Sequence, residues 1–274
     1  MRYKKKTAFC SFAPLCPFAF MDFRRSGIHE RTMKTDSAPA LSPQREENLR
    51  LVRRSLLQAA FYPFLFGLVL FLPAGTLAWP LAWTLLAVYI GGMLLTNLWL
   101  IARHPGLARE RLIIPRSSER WDLRLTGIVN FILLAVLLPL CGWDHRYGLS
   151  PAVPIAVSLA ALLIFLAMFF FMAWAMSANA FFSSAVRLQS DRRQTVATRG
   201  PYRILRHPGY LAMILQFLAI PIALGSLWGM IPAAAVNALY VYRTDREDRF
   251  LLDKLSGYAE YSRQVPFRLI PGIW

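Results

Sequence analysis

Charged residues are scarce in this chain. They make up 17% of its 274 residues, against about a quarter in a soluble domain, while 56% are hydrophobic. That balance argues against an ordinary soluble protein and predicts one built for a membrane. Cysteine is rare as well: Cys10, Cys16 and Cys141 form an odd set without a CxxC, and the four histidines stand far apart in sequence. Neither a disulfide framework nor a bound metal is expected. The signatures GxGxxG, GxxxxGK[ST] and GxSxG are missing, so any nucleotide-like cofactor must use a non-Rossmann pocket. Acidic residues are outnumbered, 15 against 31 basic, for a net charge of +16. The basic residues lie between apolar runs, as in loops on one membrane face, which argues against a nucleic-acid partner.

Long apolar runs are abundant. Four segments, 55–72, 80–102, 125–141 and 151–181, contain no Asp, Glu, Lys or Arg, and most approach the roughly 20 residues that cross a bilayer as helix. Trp79, Trp83, Trp99, Trp121 and Trp143 fall near their ends, where amphipathic rings favour the interface. The fourth run exceeds one crossing, and its end near Asn179 is expected to emerge as helix among the headgroups. Residues 1–50 read as a polar, disordered tail. Its first 21 residues faintly resemble a signal peptide, and Met33 is an alternative start. Residues 51–178 are expected to hold transmembrane helices 1–4, and residues 179–274 a catalytic region.

A fifth apolar unit, Tyr210 to Tyr242, is interrupted by Pro221 and by Gly225-Ser226-Leu227-Trp228-Gly229. Each arm has about 13–16 residues, or roughly 20–24 Å of helix, which predicts a helix-turn-helix hairpin with Pro232 in the first turn of the returning arm. The fold class is therefore all-α, a polytopic transmembrane bundle with a C-terminal hairpin and a cytosolic cofactor pocket. Arginines cluster before the first span, in loop 103–124 (six of them), in 187–206 and after Arg243, whereas loop 73–79 has no charge and loop 142–150 sets Arg146 against Asp144. This alternation predicts both termini and the functional blocks in the cytoplasm.

The hairpin brings two polar blocks to one membrane face. Upstream is Gly200-Pro201-Tyr202-Arg203-Ile204-Leu205-Arg206-His207-Pro208-Gly209-Tyr210, where two prolines stiffen the chain and display Tyr202, His207 and Tyr210. His207 can donate a hydrogen bond, act as acid or base, or simply close a loop. A bare repeat of Arg-His-Pro-Gly at 103–106 shows that the tetrapeptide alone ends membrane helices, so His104 is assigned to structure. Downstream, Arg243 and Glu247 are four residues apart and share a helix face. They can form a surface ion pair, or Arg243 can grip an anion while Glu247 accepts hydrogen bonds from a cationic or hydroxyl-bearing ligand. Asp248 is expected to serve solvent or a loop. The amides Asn97, Asn130, Asn179, Gln216 and Asn237 are expected to hydrogen-bond between helices.

From about Asn179 onward the chain resembles the isoprenylcysteine carboxyl methyltransferases, integral-membrane enzymes that use S-adenosylmethionine. The residues that carry the likeness are Gln189, Gly200-Pro201-Tyr202, Arg206-His207-Pro208-Gly209-Tyr210, Arg243-Thr244, Glu247-Asp248 and the closing Gly257-Tyr258, Tyr261, Val265-Pro266 and Pro271. By that resemblance Gln189, Gln194, Thr195, Val196, Ala197, Tyr202, His207, Pro208, Gly209, Tyr210 and Glu247 enclose the cofactor. Arg243 would hold the carboxylate of a lipid-like or prenylated acceptor, with His207 beside it. The stretch between Gln189 and Gly200 is shorter than in eukaryotic members, and residues 1–150 match only as generic spans. Two further enzyme readings share this plan: a phospholipid N-methyltransferase, in which His207 or Glu247 would act as base, and a membrane sterol or enone reductase using NADPH. A membrane scaffold or transporter is disfavoured because the spans lack the ionisable groups that line substrate pathways.

Overall fold

A computed structural model describes residues 43–112 and 118–274; Cys10, Cys16, Met33 and most of the expected tail lie outside the described residues. Every regular element among the described residues is helical. Helix α1 runs over Pro43–Ala74, α2 over Pro80–Arg103, the short α3 over Pro105–Leu112, α4 over Arg120–Phe131, α5 over Leu138–Tyr147 and α6 over Ile155–Ala178. The hairpin is α7, Pro208–Ala223, and α8, Met230–Lys254, followed by α9, Tyr258–Gln264. Residues 43–50, read from composition as tail, instead open α1, with Glu46 near its N-terminal dipole.

Four helices are long and apolar enough to cross a membrane: Asn48–Ala74, Pro80–Arg103, Arg120–Tyr147 and Ile155–Ala178. The third is continuous through α4 and α5 because a π-helical turn, Ile132–Leu137, joins them. Pro139 follows at once and cannot donate to the carbonyl four residues back; the wider turn, in which Leu138 N–H bonds to Leu133 O, absorbs that defect. Only 22% of the most apolar window of α6 is buried in the protein, so Leu163 and Phe170 point outwards, as a lipid-facing helix requires. Helix α6 also ends earlier than its run of apolar letters suggests. Asn179 turns extended and its Oδ1 accepts the Phe181 N–H at 2.9 Å, an Asx turn that competes with the helix.

The hairpin turn is held tightly. Gly229 lies so close to α5 and α7 that a Cβ there would meet Cys141 Sγ at 2.6 Å and Pro221 Cβ at 2.8 Å. Asp144, buried at the end of α5, does not pair with Arg146 across a solvated loop. Its carboxylate accepts the Ser150 N–H at 2.7 Å and the hydroxyls of Ser150 and Ser226, and Ser150 Oγ accepts the Leu227 N–H at 2.8 Å. This clasp fixes the turn at one end of the bundle. The N-terminus of α7 and the C-terminal half of α8 therefore meet at the other end, beside the last turns of α2 and α6 and the start of α4.

Candidate functional site

At that opposite end, the segment between α6 and α7 wraps over the helix ends and encloses a cleft of about 1420 Å³, open space at its mouth included. Gly200 begins the turn of the Gly-Pro-Tyr motif with φ +57°, in the left-handed region that favours glycine. A side chain there would also strike Ala178 at 2.9 Å. Tyr202 is thereby held under the cleft, its hydroxyl accepting from Asn179 Nδ2 at 3.3 Å and its carbonyl from the Tyr261 hydroxyl at 2.7 Å. Arg206 and His207 pair their backbone N–H groups with the carbonyls of Phe267 and Arg268, each at 3.0 Å, so the His-Pro turn is docked on the tail that follows α9.

Eleven of the twelve residues singled out from sequence line this one cleft: Gln189, Gln194, Thr195, Val196, Ala197, Tyr202, His207, Gly209, Tyr210, Arg243 and Glu247. Pro208 does not; it is the buried first residue of α7. Three of the eleven have partners that bear on their expected roles. Gln189 donates to Phe181 O at 2.6 Å and accepts from Arg192 at 2.8 Å, while its backbone N–H bonds to Gln194 Oε1 at 2.8 Å; it shapes the loop that walls the cleft. His207 places Nε2 3.1 Å from Asp248 Oδ1, a hydrogen-bonding role that was among those open to it from sequence. Arg243 is buried and donates through Nε and Nη2 to both oxygens of Asp122, at 2.6 and 3.0 Å. It is neither a surface partner of Glu247 nor an unpaired anion clamp, although its guanidinium also lies 5.2 Å from the Tyr210 ring centre.

Two carboxylates matter that sequence reading passed over. Asp248, expected to serve solvent or a loop, is fully buried and serves the loop before α7: it also accepts from Arg206 at 2.9 Å, and beyond that loop from Arg268 at 2.9 Å and the Tyr258 hydroxyl at 2.8 Å. Burial pushes its pKa up, but the hydrogen bond and charge of His207, with Tyr258 and Arg206, win and hold it at about 2. A signal existed: Val236, Tyr240, Thr244 and Asp248 recur every fourth residue and all are buried, a single stripe along α8. Asp122, at the start of α4, has no such signal, since its partners Arg243 and the Val186 N–H lie 121 and 64 residues away. His104, by contrast, stays outside the cleft lining and closes α2, its ring 5.4 Å from that of Trp99.

Glu247 is the exception in this cleft. Among the described residues it forms no ion pair, and its hydrogen-bond partner is the Tyr210 hydroxyl. Arg187, Arg206 and Arg243, which also line the cleft, are each matched to carboxylates, Arg187 by Glu110 and Asp191. Tyr202, Tyr210, Tyr240, Tyr258 and Tyr261 line the same cleft. Burial pushes the hydroxyls of Tyr202, Tyr258 and Tyr261 well above the usual range, Asp248 adding to the effect at Tyr258, so these phenols stay neutral. A carboxylate with no ion pair among the described residues, bonded to a tyrosine hydroxyl in a tyrosine-lined cleft, can accept a cation. Among the described residues no group of His, Cys, Asp and Glu could hold a metal ion.

The chain is 35% identical over 89 residues to the cobalt-zinc-cadmium resistance protein CzcN of Cupriavidus metallidurans, a stretch that covers 30% of this chain and 38% of that protein. The match thus spans well under half of that relative's length. Residues 155–256, which run from the first turn of α6 to the end of α8 and supply most of the cleft wall, match the family model described as phospholipid methyltransferase.

Proposed function

We propose that this chain is an integral-membrane methyltransferase that moves a methyl group from S-adenosylmethionine to a lipophilic acceptor. The observation that carries the reading is Glu247, a carboxylate with no ion pair among the described residues, in a cleft lined by five tyrosines where the hairpin ends meet. S-adenosylmethionine supplies an electrophilic methyl group on a sulfonium cation. Glu247 and the tyrosine faces balance that charge, Gln194 to Ala197 wall the soluble side, and the apolar helices admit the acceptor from the bilayer. Catalysis then rests on in-line positioning and exclusion of water. The loop ends rich in arginine support a cytoplasmic position for this end of the bundle, where the donor is available.

Two acceptors fit. An isoprenylcysteine carboxylate is supported by the order of motifs from Gln189 to Pro271; Arg243, held rigid by Asp122 and Ser184 O, would orient it. A phospholipid amine is supported by the family match at 155–256 and by Asp122, which already neutralises Arg243 and leaves Glu247 to take the amine proton. A reductase is less well supported, because three of the four arginines that line the cleft, Arg187, Arg206 and Arg243, are already matched to carboxylates.

Glu247→Gln tests the common core. The variant keeps a side chain for Tyr210 and should fold with an unchanged thermal midpoint, yet calorimetry in detergent should show S-adenosylmethionine binding at least about tenfold weaker, roughly 1.4 kcal/mol. Undiminished affinity removes Glu247 from the donor site and with it the main support for the reading.

A further inference from the structure

Helices α4 and α8 carry a second charged feature, outside the cleft. The buried bridge of Asp122 and Arg243 joins them and sets the register in which their surface residues meet. Trp121 stands one position before Asp122, and Arg246 three after Arg243. The Arg246 guanidinium lies 5.3 Å from the Trp121 ring centre and 6.0 Å from that of Tyr242. None of these three lines the cleft. Arg124 shares the Trp121 face of α4, and Arg120, Arg124 and Arg246 are all exposed. Among the described residues these three arginines have no carboxylate partner; Asp122 is taken by Arg243, and Asp245 by Arg249 and Arg268. Toward the far end of the bundle the same faces turn apolar and stay exposed, with Ile128 and Phe131 on α4 and Ala238, Ala235 and Ile231 on α8.

We propose that this seam binds an anionic phospholipid, with its phosphate held by Arg124 and Arg246 and its acyl chains laid along the two apolar stripes. The seam and the cleft are separate sites, and methyl transfer is not needed for this binding. Trp121 and Tyr242 cover the face of the Arg246 guanidinium, so the N–H groups at its edge are left for phosphate oxygens. Tryptophan and tyrosine favour the headgroup layer, which sets the charge at phosphate depth. Basic pockets between membrane helices hold anionic headgroups in this way. A zwitterionic headgroup brings its own ammonium, which the arginines repel. A second copy of the chain on this face would bring the same arginines and be repelled as well.

Titration of the detergent-purified protein with dioleoylphosphatidylglycerol or dioleoylphosphatidylcholine tests this, read by native mass spectrometry and by the thermal midpoint. Wild type should bind the glycerol lipid at least about tenfold more tightly than the choline lipid. In the double variant Arg124→Gln, Arg246→Gln the preference should fall to about twofold or less, and Arg124→Gln alone, which leaves the ring contacts of Arg246 in place, should already lower it at least about threefold. It should persist in Arg199→Gln, Arg203→Gln, which removes as much charge from exposed positions at the same end of the bundle. Without lipid, all variants should melt with wild type. Equal binding of the two lipids by wild type overturns the proposal, and so does an equal loss in the Arg199, Arg203 variant, the mark of a general attraction to the surface. Inorganic phosphate should leave the midpoint unmoved; a rise matching that from the glycerol lipid would assign the arginines to a free anion and overturn the lipid site. Dimers that only the Arg124, Arg246 variant loses would place a second copy on the seam instead.

Discussion

Asp248 gathers Arg206 and His207 from the loop before α7, Tyr258 from α9 and Arg268 from the tail. Its pKa of about 2 lies below the unfolded carboxyl value of about 3.9, so ionisation favours the folded state by on the order of 2 kcal/mol. For a depressed carboxylate this contribution is complete above about pH 4 and is lost as pH falls through about 2. Asp248→Asn should therefore cost roughly 2–4 kcal/mol at pH 7, and its deficit relative to wild type should shrink between pH 4 and pH 2. Denaturant unfolding in detergent across that range checks it; a constant deficit would mean that charge is not what binds the cluster. The residue types at this site were legible, since Tyr202, His207, Tyr210, Arg243 and Glu247 all reach one cleft. Their pairings were not. Which carboxylate meets which arginine depends on contacts such as Asp122 with Arg243, 121 residues apart, and spacing along one helix says nothing about them.

Among the elements, the hairpin was the most readable. Pro208 and the Gly225–Gly229 turn bound its two arms because the first cannot continue a preceding helix and the second opens on Gly225 at φ +73°, a left-handed conformation that ends one. The end of α6 at Ala178 matches the bound expected for the fourth span, but a run of apolar letters cannot show that Asn179 turns extended and bonds to the Phe181 N–H in place of further helix. Gly229 shows how tightly the turn is set against α5. Its φ of −61° suits any residue, so only the crowding by Cys141 and Pro221 opposes a methyl group. Gly229→Ala should destabilise by about 1–3 kcal/mol, and adding Cys141→Ala should recover part of it. Thermal unfolding of the single and double variants reads this directly; a single variant as stable as wild type would mean that α5 and the turn separate freely.

Across the whole molecule, the charge pattern of the loops and the geometry agree on one division. The arginine-bearing segments around Arg103, Arg120, Arg187 and Arg243 sit with the cleft, and the clasp of Asp144, Ser150 and Ser226 sits at the far end of the bundle. If that axis crosses the bilayer, Leu149→Cys and Asp253→Cys, both at exposed positions, should react with a membrane-impermeant maleimide from opposite sides. Intact and inverted vesicles would show this in a background with Cys10, Cys16 and Cys141 replaced by alanine. Labelling of both from one side would break the proposed orientation.

The cluster on Asp248 also has an order in time. Chains are made from the N-terminus and fold as they emerge, so the spanning helices are in place before Tyr258 and Arg268 exist. Without those two, Asp248 would keep only Arg206 and His207 of its partners, and the floor under Tyr202 would lack the hydroxyl of Tyr261. The spanning helices can thus enter the membrane while the cleft is still ajar, and its closure waits on the residues that follow α8.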